Sequence, residues 1–264
     1  MPTMMGKTIA GMLGWLVGGL IGAIIGVYIG HQFDRGLGNF QPLTAEQQQR
    51  IGACFFETTF SLLGYLAKSD GRISKSEIAQ AEALMANMGL TAAHRSQAIQ
   101  FFKAGSQSDF SLDQTMQRFV SICGKRNNLV QSLLNYLISL ALADGELHPA
   151  ERQALQKISE YLGISRALFE RLLEMIMAQA QFAGAGSDSA GANPVDQLNA
   201  AYKALGVSAS NSDAEIKKAY RKLLSENHPD KLMGQGMPED MIKLATERTQ
   251  EIRKAYELVI SSRK

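Results

Sequence analysis

A proline that follows a long amphipathic segment is the feature that most constrains the fold of this chain. The segment covers residues 213–227, and Pro229 stands two positions after it. A proline in a helix interior removes a backbone hydrogen bond and clashes with the preceding turn, so the helix has to end before Pro229. Proline also pushes the residue before it, His228, toward extended dihedrals. Because a second helical segment follows, we predict a helical hairpin whose stiff tip consists of His228, Pro229 and Asp230.

The first helix of this hairpin has two unlike faces. Ser212 and Glu215 have the spacing of a capping box, which marks the start of a helix. Four apolar side chains recur at helical spacing on one face, namely Ile216, Tyr220, Leu223 and Leu224. Four cations share the opposite face, namely Lys217, Lys218, Arg221 and Lys222. We therefore predict that the apolar face packs inside the domain, while the cationic face is either a binding surface or an ordinary solvated face.

Three short motifs in this region resemble the J-domain of the DnaJ/Hsp40 co-chaperones in type and order. They are AYRK at 219–222, HPDK at 228–231 and AYEL at 255–258. J-domains dock on ATP-bound Hsp70 and stimulate its ATP hydrolysis, so the resemblance implies a binding module that needs no catalytic group. It also implies that the His228, Pro229 and Asp230 tip is the trigger, and that the four cations face an acidic surface of Hsp70.

A long apolar segment without formal charge, apart from His31 when it is protonated, covers residues 8–33. Since about 20 apolar residues span the hydrocarbon core of a bilayer, we predict a transmembrane helix over 8–30, preceded by a stub at 1–7. A cleaved signal peptide is the alternative, because Lys7 precedes the apolar segment. The segment is longer than a typical signal core of about 7 to 15 residues, which favours the membrane helix.

Glycine recurs at every fourth position of this segment. The series consists of Gly14, Gly18, Gly22, Gly26 and Gly30. In lipid, a stripe of small residues lets two helix backbones approach closely, so the series predicts a homodimer through this helix. A generic glycine-rich membrane helix is the alternative, because glycine is common in such helices.

The charges that flank the apolar segment say little about its orientation. Lys7 lies on one side, and Asp34 offsets Arg35 on the other. The J-domain resemblance implies a cytosolic Hsp70 partner, and therefore a periplasmic N-terminus and a cytoplasmic bulk on a bacterial inner membrane. Cys54 and Cys123 form no disulfide framework, which agrees with a reducing compartment. We interpret both as small buried residues.

Residues 31–182 are predicted to hold a juxtamembrane segment and a helical middle domain, and helical periodicity without strand alternation indicates an all-α chain. An internal repeat pairs AKSDGRI at 67–73 with ALADGEL at 141–147. Each copy ends one helix, turns at Asp-Gly and begins another helix. This pattern resembles the TerB-like domain, which is named for tellurite-resistance proteins.

The TerB resemblance implies a candidate metal site. Four carboxylates would converge on Ca²⁺, Mg²⁺ or Mn²⁺ if the two hairpins packed around a pseudo-dyad, namely Asp70, Glu77, Asp144 and Glu151. Asp-Gly is also a common turn, and carboxylates are common in the first turn of a helix, so a purely structural role is the alternative. A metal-responsive membrane sensor is thus the second functional hypothesis. Recognition of a client protein is the other role that we expect for this domain.

Small and polar residues fill positions 183–195, which we predict to be a flexible linker. A linker of this length has an end-to-end distance of about 20 Å. It would leave the J-domain, residues 196–264, tethered and free to swing near whatever the middle domain binds.

Several functional classes lack support in the sequence. A net charge of +2 is too small to indicate a nucleic-acid partner, and no P-loop, dinucleotide fingerprint, zinc-type spacing or serine-nucleophile elbow is present. We therefore expect no cofactor and no enzymatic activity. His31, His94 and His148 are scattered, and we interpret them as structural.

The order of membrane helix, TerB-like domain and J-domain resembles the DnaJ-like protein A family of Gram-negative inner membranes. DnaJ itself also has a Gly/Phe-rich region, a zinc-binding cysteine repeat and a client-binding barrel, and this chain shows none of them. The resemblance therefore implies a regulatory action on the Hsp70 DnaK rather than general chaperoning. It further suggests a link to envelope signalling and capsule production.

Overall fold

The structure is a computed structural model that describes residues 43–71, 73, 75–142, 147–188 and 194–263. Within these ranges the chain forms α-helices, one short 3₁₀-helix and no strand, which confirms the predicted all-α class. The helices are α1 (Ala45–Ala67), α2 (Lys75–Met88), α3 (Ala92–Gly105), α4 (Leu112–Cys123), α5 (Asn127–Ala141), α6 (Pro149–Tyr161), α7 (Arg166–Asp188), α8 (Pro194–Ala204), α9 (Asp213–Asn227), α10 (Pro229–Gly234) and α11 (Ile242–Ser261). The 3₁₀-helix covers Glu239–Met241.

Helix α1 is the central helix of the middle domain, and it packs against α3, α4 and α5. It is apolar on most of its circumference, which is the pattern of a helix that neighbours surround on several sides. The fully buried side chains of this core include Phe55, Phe60, Leu62, Leu63, Met116, Phe119, Leu129 and Leu133. Burial of these large side chains is the main source of the stability of the domain.

Two glycines let α1 and α3 cross with their backbones in contact. A Cβ atom placed on Gly64 would lie 1.9 Å from the carbonyl oxygen of Phe102. A Cβ atom on Gly105 would lie 1.8 Å from the carbonyl oxygen of Ser61. Both distances are far below a van der Waals contact, so this crossing requires glycine at both positions.

The two cysteines lie in this core. Cys54 of α1 and Cys123 of α4 are both buried and unbonded, as the sequence predicts. Their thiols share a hydrogen bond, which raises the pKa of Cys123, and burial raises it further. The same hydrogen bond lowers the pKa of Cys54 to about 7. Cys123 therefore stays protonated, and both side chains fill space in the core.

Helix α7 belongs to both domains of the described chain. Phe169 and Leu173 lie buried near its start, whereas Met175 and Phe182 pack against the core of the J-domain region. The side-chain amide of Gln179 donates a buried hydrogen bond of 2.7 Å to the carbonyl oxygen of Ala204 in α8.

The predicted linker differs from the structure. Helix α7 continues through Asp188 and α8 begins at Pro194, so only 189–193 within the expected 183–195 segment fall outside the described elements. Residues 45–264 belong to one compact unit. The expectation of a freely swinging J-domain is therefore wrong for this structure, because α7 packs directly on α8.

The J-domain region has a small core of its own between α8, α9 and α11. Its buried members are Ala201, Tyr202, Ala204, Leu205, Ile216, Leu223, Ile252, Ala255 and Val259. Tyr220 of α9 stacks on Tyr256 of α11, with the ring centroids 4.0 Å apart. The predicted helical hairpin consists of α9 and α11, and its tip is at α10.

Candidate functional site

The tip of the hairpin is a tight turn in which His228 ends one helix and begins the next. Its dihedrals, φ −65° and ψ 125°, are extended, as expected for the residue before a proline. The backbone N–H of Asp230 donates to Nδ1 of His228 at 3.3 Å, so His228 acts as the N-cap of α10. In the neutral ring this leaves the proton on Nε2, which is free to donate outward.

The side chains at the tip are accessible to a partner. The His228 side chain is 51% exposed and the Asp230 side chain is 82% exposed. Pro229 occupies the first position of α10, where its missing N–H has no cost. The carbonyl oxygen of His228 accepts hydrogen bonds of 3.1 Å from the backbone N–H groups of Lys231 and Leu232. The tip is thus held by its own backbone while its imidazole and carboxylate face solvent.

Helix α9 begins with the predicted capping box. The backbone N–H of Ser212 donates to Oε2 of Glu215 at 2.8 Å, and the backbone N–H of Glu215 donates to Oγ of Ser212 at 3.4 Å. The hydrogen bond from the Ser212 backbone lowers the pKa of the Glu215 carboxyl, because it favours the charged form. This cap fixes the start of the helix that carries the cations.

The two predicted faces of α9 are present. Ile216 and Leu223 are buried in the J-domain core. The four predicted cations are all exposed, namely Lys217, Lys218, Arg221 and Lys222. The ammonium of Lys222 lies 3.8 Å from the carboxylate of Glu226 on the same helix, an exposed pair of little energetic weight. The structure therefore places an exposed positive surface on the helix that leads into the tip.

On the N-terminal side of the tip, the middle domain contacts the last turn of α9. The side-chain amide of Asn128 in α5 donates to the carbonyl oxygen of Ser225 at 3.3 Å. The Thr249 hydroxyl of α11 donates to the carbonyl oxygen of Asn227 at 3.2 Å. These contacts satisfy carbonyl groups at the end of α9, which have no partner inside the helix.

On the C-terminal side of the tip, three contacts hold the loop to the middle domain. The hydroxyl of Tyr136 donates to the carbonyl oxygen of Met241 at 3.0 Å. The imidazole of His94 pairs with the carboxylate of Asp240. Gly236, at φ +98°, lies so close to Ile51 that a Cβ atom there would be 2.8 Å from its side chain.

The sequence did not predict these contacts on the two sides of the tip. Tyr136 and Met241 are 105 positions apart, and no periodic pattern indicates that two such residues meet. The one local signal is the run of glycine and proline after α10, which indicates a loop without indicating its partner. The structural role predicted for His94 agrees with its pairing to Asp240.

The structure describes only some of the four carboxylates that were predicted as metal ligands. Glu151 accepts a hydrogen bond of 3.0 Å from the backbone N–H of His148 and thereby closes a capping box at the start of α6. His148 is the N-cap of this helix, which agrees with the structural role expected for it. Asp70 follows α1 in an exposed turn, whereas Asp144 and the side chain of Glu77 lie outside the described part.

Among the residues whose placement is described, no group of three or more His, Cys, Asp or Glu side chains has the arrangement of a metal site. The metal hypothesis stays a prediction. The predicted membrane helix at 8–30, with its glycine series, also lies outside the described residues. Among the helices that are described, none has the length and apolarity needed to cross a bilayer.

Comparison with known protein families finds three matches along the chain. Residues 1–40 match the family model of the co-chaperone DjlA transmembrane domain. Residues 57–174 match the tellurite resistance protein TerB, and residues 200–264 match the DnaJ domain. The metal candidates at 70 and 151 fall in the second match, and the tip falls in the third.

The chain is also similar to curated proteins over most of its length. The co-chaperone protein DjlA of Escherichia coli (strain K12) is 41% identical over 236 residues, which cover 87% of each chain. The proteins of the same name from Salmonella typhimurium and Yersinia pestis are 40% identical over 235 and 241 residues, with the same coverage. No solved structure matches the chain. The three domain matches and these relatives show that the chain belongs to the DjlA family of J-domain co-chaperone proteins.

Proposed function

We propose that this protein is a membrane-anchored co-chaperone that binds the Hsp70 DnaK through its J-domain and stimulates ATP hydrolysis by that partner. The observation that carries the proposal is the exposed tip of His228, Pro229 and Asp230 at the end of a helix with an exposed cationic face. The protein acts as a binding module in this scheme, and the chemistry takes place in the partner.

The charge distribution supports an acidic docking partner. All four cations of α9 are exposed, and one of them, Lys222, has a nearby carboxylate in Glu226. Exposed charges of one sign raise the association rate and orient the encounter, and salt screens this effect over about 10 Å at 0.1 M. The α9 surface therefore steers and orients the partner, whereas the tip makes the specific contact.

The contacts on both sides of the tip support efficient docking. Asn128 holds the residue three positions before His228, and Tyr136 holds Met241 beyond α10. A surface that is already ordered loses less conformational entropy when it binds. In this arrangement the middle domain acts as a support that presents the tip at a fixed angle.

The membrane arrangement is part of the proposal. We place residues 1–7 in the periplasm, a single transmembrane helix at 8–30, and the folded domains in the cytoplasm, where DnaK and ATP are available. Dimerisation through the glycine series of that helix would bring two J-domains together. The role is regulatory rather than general chaperoning, with a client or signalling protein recognised by the middle domain and an effect on envelope and capsule signalling.

The proposal is tested by the steady-state ATPase rate of DnaK with the full chain in detergent micelles at low salt. We expect stimulation by the wild type and its loss in His228→Gln, with an unchanged thermal unfolding midpoint for the variant. Lack of stimulation by the wild type contradicts the proposal.

Reversing charges on α9 separates the contribution of its cationic face from the contribution of the tip. Lys218→Glu combined with Arg221→Glu is expected to raise the concentration needed for half-maximal stimulation at least tenfold at low salt. The matched control reverses two exposed lysines of the middle domain, Lys103→Glu and Lys157→Glu. Equal effects of the two double variants would remove the role assigned to α9.

The dimer is tested separately with the isolated segment 1–40 in a membrane association assay. We expect Gly18→Leu with Gly22→Leu to abolish association, because leucine separates the two backbones. Gly19→Leu, which lies off the series, serves as the control and leaves association intact. Association that survives the double change would exclude this interface.

A further inference from the structure

A cavity of about 140 Å³, lined by both apolar and polar side chains, lies where the middle domain meets the J-domain. Its walls come from α2, α5 and α11, together with Asn227 at the end of α9. Its polar lining includes Ser132, Asn135, Ser139, Glu247, Arg248 and Glu251. The cavity is large enough for a small ion, and residues from both domains line it.

The guanidinium of Arg248 is the unusual group in this cavity. Its Nη2 atom is completely enclosed and has no hydrogen-bond partner. Across the described ranges, no carboxylate lies within ion-pair distance of Arg248, although the charge of Glu251 on the same helix opposes part of the effect of burial. Burial lowers the pKa of Arg248 to about 10, so the group still carries its charge at neutral pH. A buried guanidinium normally has an anionic partner and several acceptors, because leaving the charge unpaired is costly.

Other donors surround this charge. The hydroxyl of Tyr136 already donates to the carbonyl oxygen of Met241, and one N–H of the Asn227 amide donates to the carbonyl oxygen of Leu223. The hydroxyls of Ser132 and Ser139 and the amide of Asn135 have no side-chain hydrogen bond to other residues in the described part. Three uncommitted donor groups, one of them on the exposed Ser139, and one guanidinium without an ion-pair partner thus line the same cavity.

Two carboxylates of α11 oppose an anion at this position. Glu247 is exposed at the mouth of the cavity, and Glu251 is partly buried one turn from Arg248. Burial raises the pKa of Glu251, which means that its charged form is disfavoured there. Glu251 therefore weakens the site and gives a means of testing it.

We propose that this cavity binds a small tetrahedral oxyanion of the phosphate or sulfate class, with Arg248 as the charged ligand and Ser132, Asn135 and Ser139 as hydrogen-bond donors. Guanidinium groups match the oxygen geometry of such anions and bind them with two parallel hydrogen bonds. This inference is independent of the action on Hsp70.

The location gives the site a consequence for the whole protein. An anion held by α5 and α11 at once stabilises the docked arrangement of the two domains, since ligands stabilise the state that binds them. Asn227 lines the same cavity and directly precedes His228. Occupancy of the cavity therefore strengthens the support behind the tip.

The test is thermal unfolding of the full chain in detergent micelles, with phosphate or sulfate at up to about 10 mM and chloride at equal ionic strength. The low concentration avoids the general stabilisation that these salts give at high concentration. We expect a saturable rise of the unfolding midpoint with phosphate and sulfate, and no rise with chloride. Calorimetric titration with inorganic phosphate gives the dissociation constant.

Three variants decide the assignment. Arg248→Gln is expected to weaken phosphate binding at least tenfold, whereas Glu251→Gln is expected to strengthen it. Arg253→Gln, an exposed arginine of the same helix, is the matched control and leaves binding unchanged. If Arg248→Gln fails to fold, Ser132→Ala with Ser139→Ala replaces it and is expected to weaken binding several-fold.

Two results would overturn the proposal. One is a wild-type response to phosphate that equals the response to chloride. The other is phosphate binding that persists in Arg248→Gln, or in the double serine variant, at the affinity of the wild type.

Discussion

The hydroxyl of Tyr136 donates a buried hydrogen bond of 3.0 Å to the carbonyl oxygen of Met241. Tyr136 belongs to α5 of the middle domain, and Met241 ends the loop that follows the tip of the J-domain. Burial raises the pKa of the Tyr136 phenol, so the group remains a donor at any physiological pH. This contact joins the middle domain to the loop of the J-domain within one compact unit.

Removing that donor should loosen the loop after the tip. Tyr136→Phe keeps the ring and its packing against Phe55, and it removes the hydroxyl that donates to the carbonyl oxygen of Met241 and lies 3.7 Å from the sulfur of Met237. We expect the free energy of unfolding to fall by about 1 kcal/mol. Urea denaturation of the full chain in micelles measures the change. Tyr65→Phe is the control, because the Tyr65 hydroxyl makes no hydrogen bond in the described part, and equal losses in both variants would contradict the interpretation.

The sequence predicted the local features of the J-domain correctly and its surroundings poorly. The capping box at Ser212, the extended His228 and the two faces of α9 all follow from spacing and from the chemistry of proline. The placement of Asn128 against Ser225 depends on contacts between residues 97 positions apart. Such pairs are set by the complementarity of two folded surfaces, and periodicity carries no information about it.

The segment before the J-domain is a second case in which tertiary packing decides the structure and local composition does not. Its small residues suggested a linker, because alanine, glycine and serine are common in loops. Alanine is also the best helix former, and α7 arrives from a packed core that begins at Phe169. Tertiary packing at Phe182 and Gln179 therefore extends the helix to Asp188, past the point where composition predicts a break.

The close crossing of α1 and α3 predicts a strong effect of one methyl group. In Gly64→Ala the new Cβ would lie 1.9 Å from the carbonyl oxygen of Phe102, so the two helices must move apart. We expect a loss of about 1–3 kcal/mol or more in the free energy of unfolding. Gly234→Ala is the matched control, since nothing lies within 4 Å of its Cβ position, and it should be neutral or slightly stabilising. Thermal unfolding of both variants gives the comparison, and a neutral Gly64→Ala would mean that the crossing is looser than described.

The capping box of α9 predicts a pH-dependent contribution to stability. The hydrogen bond from Ser212 lowers the pKa of Glu215 in the folded state below its ordinary value. The charged carboxylate therefore stabilises the fold above the ordinary pKa, about 4.3, and this contribution is lost as the pH falls through the lowered folded value.

Glu215→Gln tests this pH dependence, because glutamine keeps an acceptor and removes the charge. We expect the wild type to be more stable than Glu215→Gln at pH 7, and the difference to shrink as the pH falls through the lowered pKa of the folded state. The exposed Glu257→Gln provides the control. A difference that is the same at pH 7 and pH 3 would show that the charge is not involved.

Arg248 predicts a stabilising substitution. Burial disfavours the charged form and lowers the pKa of Arg248 to about 10, so the fold bears a cost at every pH below about 10 and loses that cost as the pH rises toward the ordinary pKa of a guanidinium. Arg248→Met keeps a flexible chain of similar length without the charge. In chloride buffer at pH 7, we expect the free energy of unfolding of this variant to exceed that of the wild type by about 1–3 kcal/mol, as seen when buried charges are replaced by apolar groups.

Denaturation of Arg248→Met between pH 6 and pH 8 should give the same gain throughout, because the guanidinium is fully charged over that range. Arg253→Met, on the exposed face of α11, should change little. An Arg248→Met variant that is less stable than the wild type without added anion would show that the fold itself supplies the guanidinium with a partner, and in that case an oxyanion has no unpaired charge to bind.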